Sequence, residues 1–194
     1  MTREEFYEVL ENVSASRESR LECARLVNQN IYLIPHLIDK LFHVDAKDSH
    51  KAAWVLEFVC EDYIYAILPY LDRFTKNIHN IHHDSAIRPV AKICSFTVQA
   101  HYAKDKNPLK KALTPQHKKQ LIATNFDWMI NKHKVATKVF AMETLFHLGK
   151  ENPWVHIELK QIIEQDFMKQ SAAYKARAKQ ILQKLKKQEY HKLP

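Results

Sequence analysis

One glycine, Gly149, in 194 residues is the sharpest absence in this sequence. Tight hairpins, βα turns and phosphate-cradling loops need glycine for positive φ or for close backbone approach. Glycine-rich nucleotide motifs are therefore missing, and so are most routes to a sheet. Cysteine is sparse and odd in number: Cys23, Cys60 and Cys94 stand far apart, with no Cys-x-x-Cys pair. That argues against a disulfide framework or a thiolate zinc site and for buried free thiols in a reducing compartment. No run reaches about 18 apolar residues, and Met1 to Phe6 has no apolar signal core. The chain is expected to lie in the cytoplasm, away from membranes. Ser/His/Asp or Cys/His catalytic arrangements cannot be read from spacing, so no catalytic residue and no cofactor is assigned.

What remains is rich in Ala, Leu, Lys, Glu and Gln, the good helix formers, and predicts an all-α protein. Apolar periodicity marks helices near 2–13, 17–29, 31–44, 49–61, 63–79, 85–102, 115–131 and 133–148, with two more from Asn152-Pro153 and from Ser171. Thr2 with Glu5 has capping-box spacing, and Thr114-Pro115 is an N-cap followed by a first-turn proline. Asp84 or Ser85 is expected to cap the 85–102 helix, with Pro89 in or near its first turn, and Gly149 to end the 133–148 helix. The 49–61 helix is apolar nearly all round, from Ala52 to Cys60, so it must be covered on several sides.

Four of these helices open alike, with a basic residue followed by small and aliphatic positions: Lys51 to Leu56, Arg88 to Ile93, Lys138 to Leu145 and Lys175 to Leu182. The basic residues are 37, 50 and 37 positions apart, and a basic insertion at 103–114 accounts for the longer step. A unit of roughly 37 to 47 residues is the length of one helical-hairpin repeat. On these residues the chain resembles HEAT-like and armadillo-like repeat proteins over about 31–187. The resemblance implies a right-handed α-α superhelix, one domain over 1–194, used as a binding surface. Short bacterial chains sometimes labelled adenylosuccinate lyase look similar. The lyase family is longer and depends on a Gly/Ser-rich catalytic loop, which a chain with one glycine cannot supply.

The net charge of +8 is unevenly placed. Residues 169–194 carry +7 and 104–119 carry +5, whereas 1–103 carry −3 and 120–168 carry −1. The basic C-terminus can attract an anionic partner or serve as the solvated cap of a terminal repeat. Stacked in parallel, the helices would set Lys51, Arg88, Lys138 and Lys175 in a row, with Lys92 one turn beyond Arg88. Such a row suits an acidic peptide or nucleic-acid phosphate. Alternatively it is an internal ladder, for example with Glu57, which sits alone on an apolar helix and needs a partner. Trp54, with His50 and Lys51 one turn before it, is the expected aromatic platform. The His79, His82, His83 and Asp84 group reads as an interhelix turn and not as a metal site. His50, Lys51, Trp54, Arg88, Lys92, Lys138 and Lys175 are thus the candidate binding residues. The expected function is a non-enzymatic scaffold that binds another protein. The alternative is nucleic-acid binding, related in architecture to HEAT-like DNA alkylation-repair glycosylases.

Overall fold

A computed structural model describes the backbone of residues 1–190 and the side chains of residues 1–187. Lys192, counted in the basic C-terminal segment, lies outside the described residues. The architecture is all-helical, with no strand among the described residues. The α-helices are α1 (Arg3–Glu11), α2 (Arg17–Gln29), α3 (Ile34–Leu41), α4 (Ser49–Asp62), α5 (Leu71–Asn77), α6 (Asp84–His101), α7 (Leu109–Ala112), α8 (Pro115–Ile130), α9 (Val135–Leu148), α10 (Pro153–Asp166) and α11 (Ala172–Tyr190). Their starts follow local chemistry. Thr2 closes a full capping box with Glu5, Ser16 accepts the Ser19 N–H, and Thr114 accepts the His117 N–H while His117 reaches back to the Thr114 N–H.

The helices sort into two sets. Helices α2, α4, α6, α9 and α11 touch one another in succession, and α3, α8 and α10 pack against members of that row. Side-chain pairs give the direction of the row. Trp54 meets Ser85, Glu57 meets Arg88 and Glu61 meets Lys92, each 31 positions apart, so α4 and α6 run parallel in fixed register. Glu143 meets Arg177 and Phe146 meets Lys184, which sets α9 and α11 parallel as well. α4 buries Ala52, Ala53, Val55, Leu56, Phe58 and Val59, as expected of a helix covered on several sides.

Several sequence expectations need correction. The segment 63–79 is not one helix: it divides into a 3₁₀ stretch Ile64–Tyr70, α5 and a short 3₁₀ turn Ile78–Asn80. Pro69 lies inside the first stretch, where it has no N–H and would crowd the carbonyl four residues back in an α-helix. The cap of α6 is neither Asp84 nor Ser85 but His83, whose Nδ1 accepts the Ser85 N–H at 3.2 Å. Gly149 ends α9 with φ of −65°, so its freedom to adopt positive φ is unused. A Cβ there would fall within the His156 ring, and close approach is what the glycine provides.

Pro89 lies in the second turn of α6 and not the first. It cannot donate to the carbonyl of Ser85, one turn back. The Trp54 indole fills that vacancy, with Nε1 donating to the Ser85 oxygen at 2.9 Å. Trp54→Phe should therefore orphan a backbone acceptor and cost about 1–2 kcal/mol. In a Pro89→Ala background the restored N–H can serve Ser85, so the same change should cost about 1 kcal/mol less. Urea midpoints of the four proteins in this cycle decide the matter, and additive costs would show that the indole and the proline are unrelated.

Candidate functional site

Most of the candidate residues at the helix heads are brought close to other protein groups. Glu57 is only 3% exposed, and a lone buried carboxylate is costly unless it is paired. Arg88 meets it with both terminal nitrogens, at 3.1 and 2.6 Å, in a two-pronged pair. Lys92 lies 3.1 Å from the other Glu57 contact, Oε1, and 3.1 Å from Glu61, with its ammonium over the Phe96 ring. Glu143 continues the polar seam along the row, facing Ser95 from α6 and Arg177 from α11.

Two other cations close helix ends. The last carbonyls of a helix lack intrahelical donors and carry the negative end of its dipole. Lys51 donates to the Glu11 carbonyl at the end of α1. Lys138, 6% exposed, donates to the Met129 carbonyl at the end of α8 at 2.7 Å and stands 3.8 Å from Asp166. Lys51 and Lys138 thus point at different neighbouring helices, and the partner of Arg88 on α4 is Glu57. Lys175 is half-buried and forms no side-chain hydrogen bond or ion pair among the described residues. His50 stacks face to face on His83, with centroids 4.5 Å apart, and edge-on to Trp54 at 4.7 Å. Burial, then the neighbouring His83, lowers the His50 pKa. No three His, Cys, Asp or Glu side chains converge as a metal-holding group among the described residues.

The basic segments meet elsewhere. At the C-terminal ends of α6 and α9, Lys118 and Lys150 cover the Tyr102 ring at 5.6 and 5.2 Å, and Lys184 covers Phe146 at 5.5 Å. Glu151 bonds Lys118 at 2.7 Å; burial opposes its ionisation, but Lys118, Tyr102 and His101 hold its carboxyl below the usual range. His147 stacks on Tyr102 and is pushed down to about 4, first by burial and then by Lys150 and Lys184. Arg88 and Tyr102 are fourteen positions apart on the same helix, a rise of about 20 Å, so this cluster and the helix heads are well separated.

Two surface grooves were not legible in the sequence. One, of about 490 Å³, lies beside the end of α4 and is lined by Ile31, Ile34, Tyr63, Tyr65, Pro69 and Tyr70 among others. The other, of about 560 Å³, lies between α8 and the start of α10 and includes Lys119, Ile122, Phe126 and Trp154. Trp154 is 55% exposed and stacks on Phe126, whereas Trp54 is half-buried and hydrogen-bonded. The exposed tryptophan is therefore the one on α10, not the one on α4. A tryptophan following Asn-Pro at a helix start was its only sequence signal.

Glu57→Gln should leave Arg88 and Lys92 without their buried counter-charge. With Arg88 partly exposed, the expected loss is about 2–3 kcal/mol, read as a lower urea midpoint at unchanged slope. His147 gives a second expectation. Its folded pKa lies below the unfolded value, so its contribution is complete above about pH 6.5 and is lost as pH falls toward 4. Melting temperature should drop more steeply across that window in the wild type than in His147→Phe; parallel curves would refute the assignment. No protein-family model, curated protein or solved structure matches the chain, which leaves the geometry of these residues as the ground for a function.

Proposed function

We propose that this chain is a helical-repeat scaffold, a right-handed α-α superhelix of HEAT-like or armadillo-like kind, that binds another protein and performs no chemistry of its own. The parallel row α2, α4, α6, α9 and α11, backed by α3, α8 and α10, supports the superhelix. One observation carries the binding class. Four of the five candidate cations, Lys51, Arg88, Lys92 and Lys138, are engaged by Glu57, Glu61 and two helix-end carbonyls, while Tyr63, Trp154, Ile31 and Ile157 stand more than half exposed. Exposed apolar and aromatic surface of this kind suits a protein-binding face.

Nucleic-acid binding is the second reading, and the convergence of Lys118, Lys150 and Lys184 favours it. Against it, the cluster lies at the far ends of the helices from Arg88, and Glu151 neutralises part of it. The discriminating experiment is titration with a random DNA duplex over a salt series. Phosphate binding weakens steeply with salt, in proportion to the contacts made. The expected result is no micromolar complex at about 0.15 M salt. A photo-crosslinker at position 63 or 154 should instead yield protein adducts that survive nuclease. A duplex complex of micromolar strength, abolished by Lys119→Glu with Lys150→Glu, would overturn the scaffold in favour of the second reading. Both lysines are exposed, so the reversal should leave the fold intact.

A further inference from the structure

The groove beside α4 is built by a change of helix type. α4 ends at Asp62, Tyr63 turns the chain with φ −142° and ψ 88°, and the 3₁₀ stretch Ile64–Tyr70 follows. At three residues per turn, Tyr63, Ala66 and Pro69 stack in one line. All three line the groove, with Ile31 and Ile34 also contributing to its wall. The Tyr63 and Tyr65 rings stand 5.4 Å apart at 84°, forming an aromatic corner, and Tyr63 is 58% exposed.

This corner is unlike several other aromatic faces of the molecule. An aromatic face is electron-rich and attracts cations, guanidinium most often among protein groups. At those faces the protein supplies its own cation. Arg3 and Lys40 cover Tyr7, Arg17 and Arg20 cover Phe58, Arg73 covers Phe42, and Lys118 with Lys150 covers Tyr102. Among the described residues no Lys or Arg covers Tyr63, Tyr65 or Tyr70. Asp62 stands at the groove's rim, exposed, with one oxygen accepting the Asn28 amide at 2.7 Å and no ion pair among the described residues. Residues 1–103, which hold the whole groove, carry a net charge of −3.

We propose that this groove takes an arginine side chain presented by a partner protein. The proposal rests on the protein-binding reading and names the chemistry that reading leaves open. A guanidinium is planar and weakly hydrated, so it stacks on a tyrosine face at little desolvation cost, and its N–H groups can reach the free Asp62 oxygen. Lysine's compact ammonium holds its water more tightly. A quaternary ammonium has no N–H for Asp62, and a phosphate would meet like charge there.

The test uses the full chain carrying ¹³C-labelled tyrosine, titrated with acetyl-arginine amide, its neutral citrulline counterpart and tetramethylammonium. Arginine should shift the Tyr63 and Tyr65 ring signals saturably and leave buried Tyr174 unmoved. Citrulline should bind about tenfold more weakly, and so should arginine to Tyr63→Leu, which keeps apolar area but removes the ring face. Asp62→Asn should weaken arginine severalfold. Equal binding of citrulline, stronger binding of tetramethylammonium, or undiminished affinity in Tyr63→Leu would each overturn the proposal. An arginine titration without shifts, beside a duplex titration without a complex, removes this occupant and leaves the scaffold. A salt-sensitive duplex complex removes both.

Discussion

The register between α4 and α6 is the constraint on which the rest of the structure leans. It begins with a missing hydrogen: Pro89 cannot serve the carbonyl of Ser85, and the indole of Trp54 crosses from α4 to do so. One turn on, Glu57 is buried between the helices and is tolerated only because Arg88 and Lys92 reach it. Another turn on, Glu61 meets Lys92 at the exposed edge. Three contacts at one spacing hold two helices parallel and leave no freedom to slide. A one-residue slip would rotate the Glu57 carboxylate by about 100° around its helix, away from both cations and toward apolar side chains. Polar contacts of this kind specify the arrangement more than they add stability; the apolar faces of α4 and α6 supply the burial.

How much of this could be read from the sequence differs by kind of signal. Local, short-range signals were legible: the Thr2–Glu5 capping box, the Thr114-Pro115 start of α8 and the all-round apolar pattern of α4 each reappear in the structure. Each depends on residues within one or two turns of one another, so periodicity carries it. The need of Glu57 for a partner was legible too, since one carboxylate among apolar neighbours announces its own cost. The direction in which a long side chain turns was not. Lys51 and Lys138 occupy equivalent-looking positions, yet one serves α1 and the other α8. Nothing in the local sequence states which helix end will lie within reach of a flexible four-carbon chain. The candidate surface suffered from the same limit, because exposure of Trp154 and hydrogen bonding of Trp54 are both facts of tertiary packing.

The distribution of charge follows from the same logic. Some of the cations sit where folding needs them, at carbonyl ends of helices, on buried carboxylates and over aromatic rings. A lysine used in that way contributes to the net charge without offering itself to a ligand. The formal +8 thus overstates what an anionic partner would meet, most strongly at the helix heads where the sequence pattern is most conspicuous. The converse holds for the groove beside α4, where a modest acidic excess coincides with Tyr63, Tyr65 and Tyr70, which no cation covers among the described residues.

That coincidence depends on how the segment after α4 is wound. A continuous helix through 63–79 would step its side chains every 100°, scattering Tyr63, Ala66 and Pro69 over its surface. The break at Tyr63 and Pro69 inside the stretch disfavour that, and the tighter 3₁₀ winding lines them up instead. Three-residue winding is poorer in hydrogen-bond geometry and seldom runs as long as Ile64–Tyr70. Here it is held from below, since Ile67 is fully buried and anchors the stretch to the core. The departure from α-helical winding and the exposed aromatic corner therefore have a single origin. The packed helices supply a base through α4, and the irregular segment hung on its end supplies the surface that is left open.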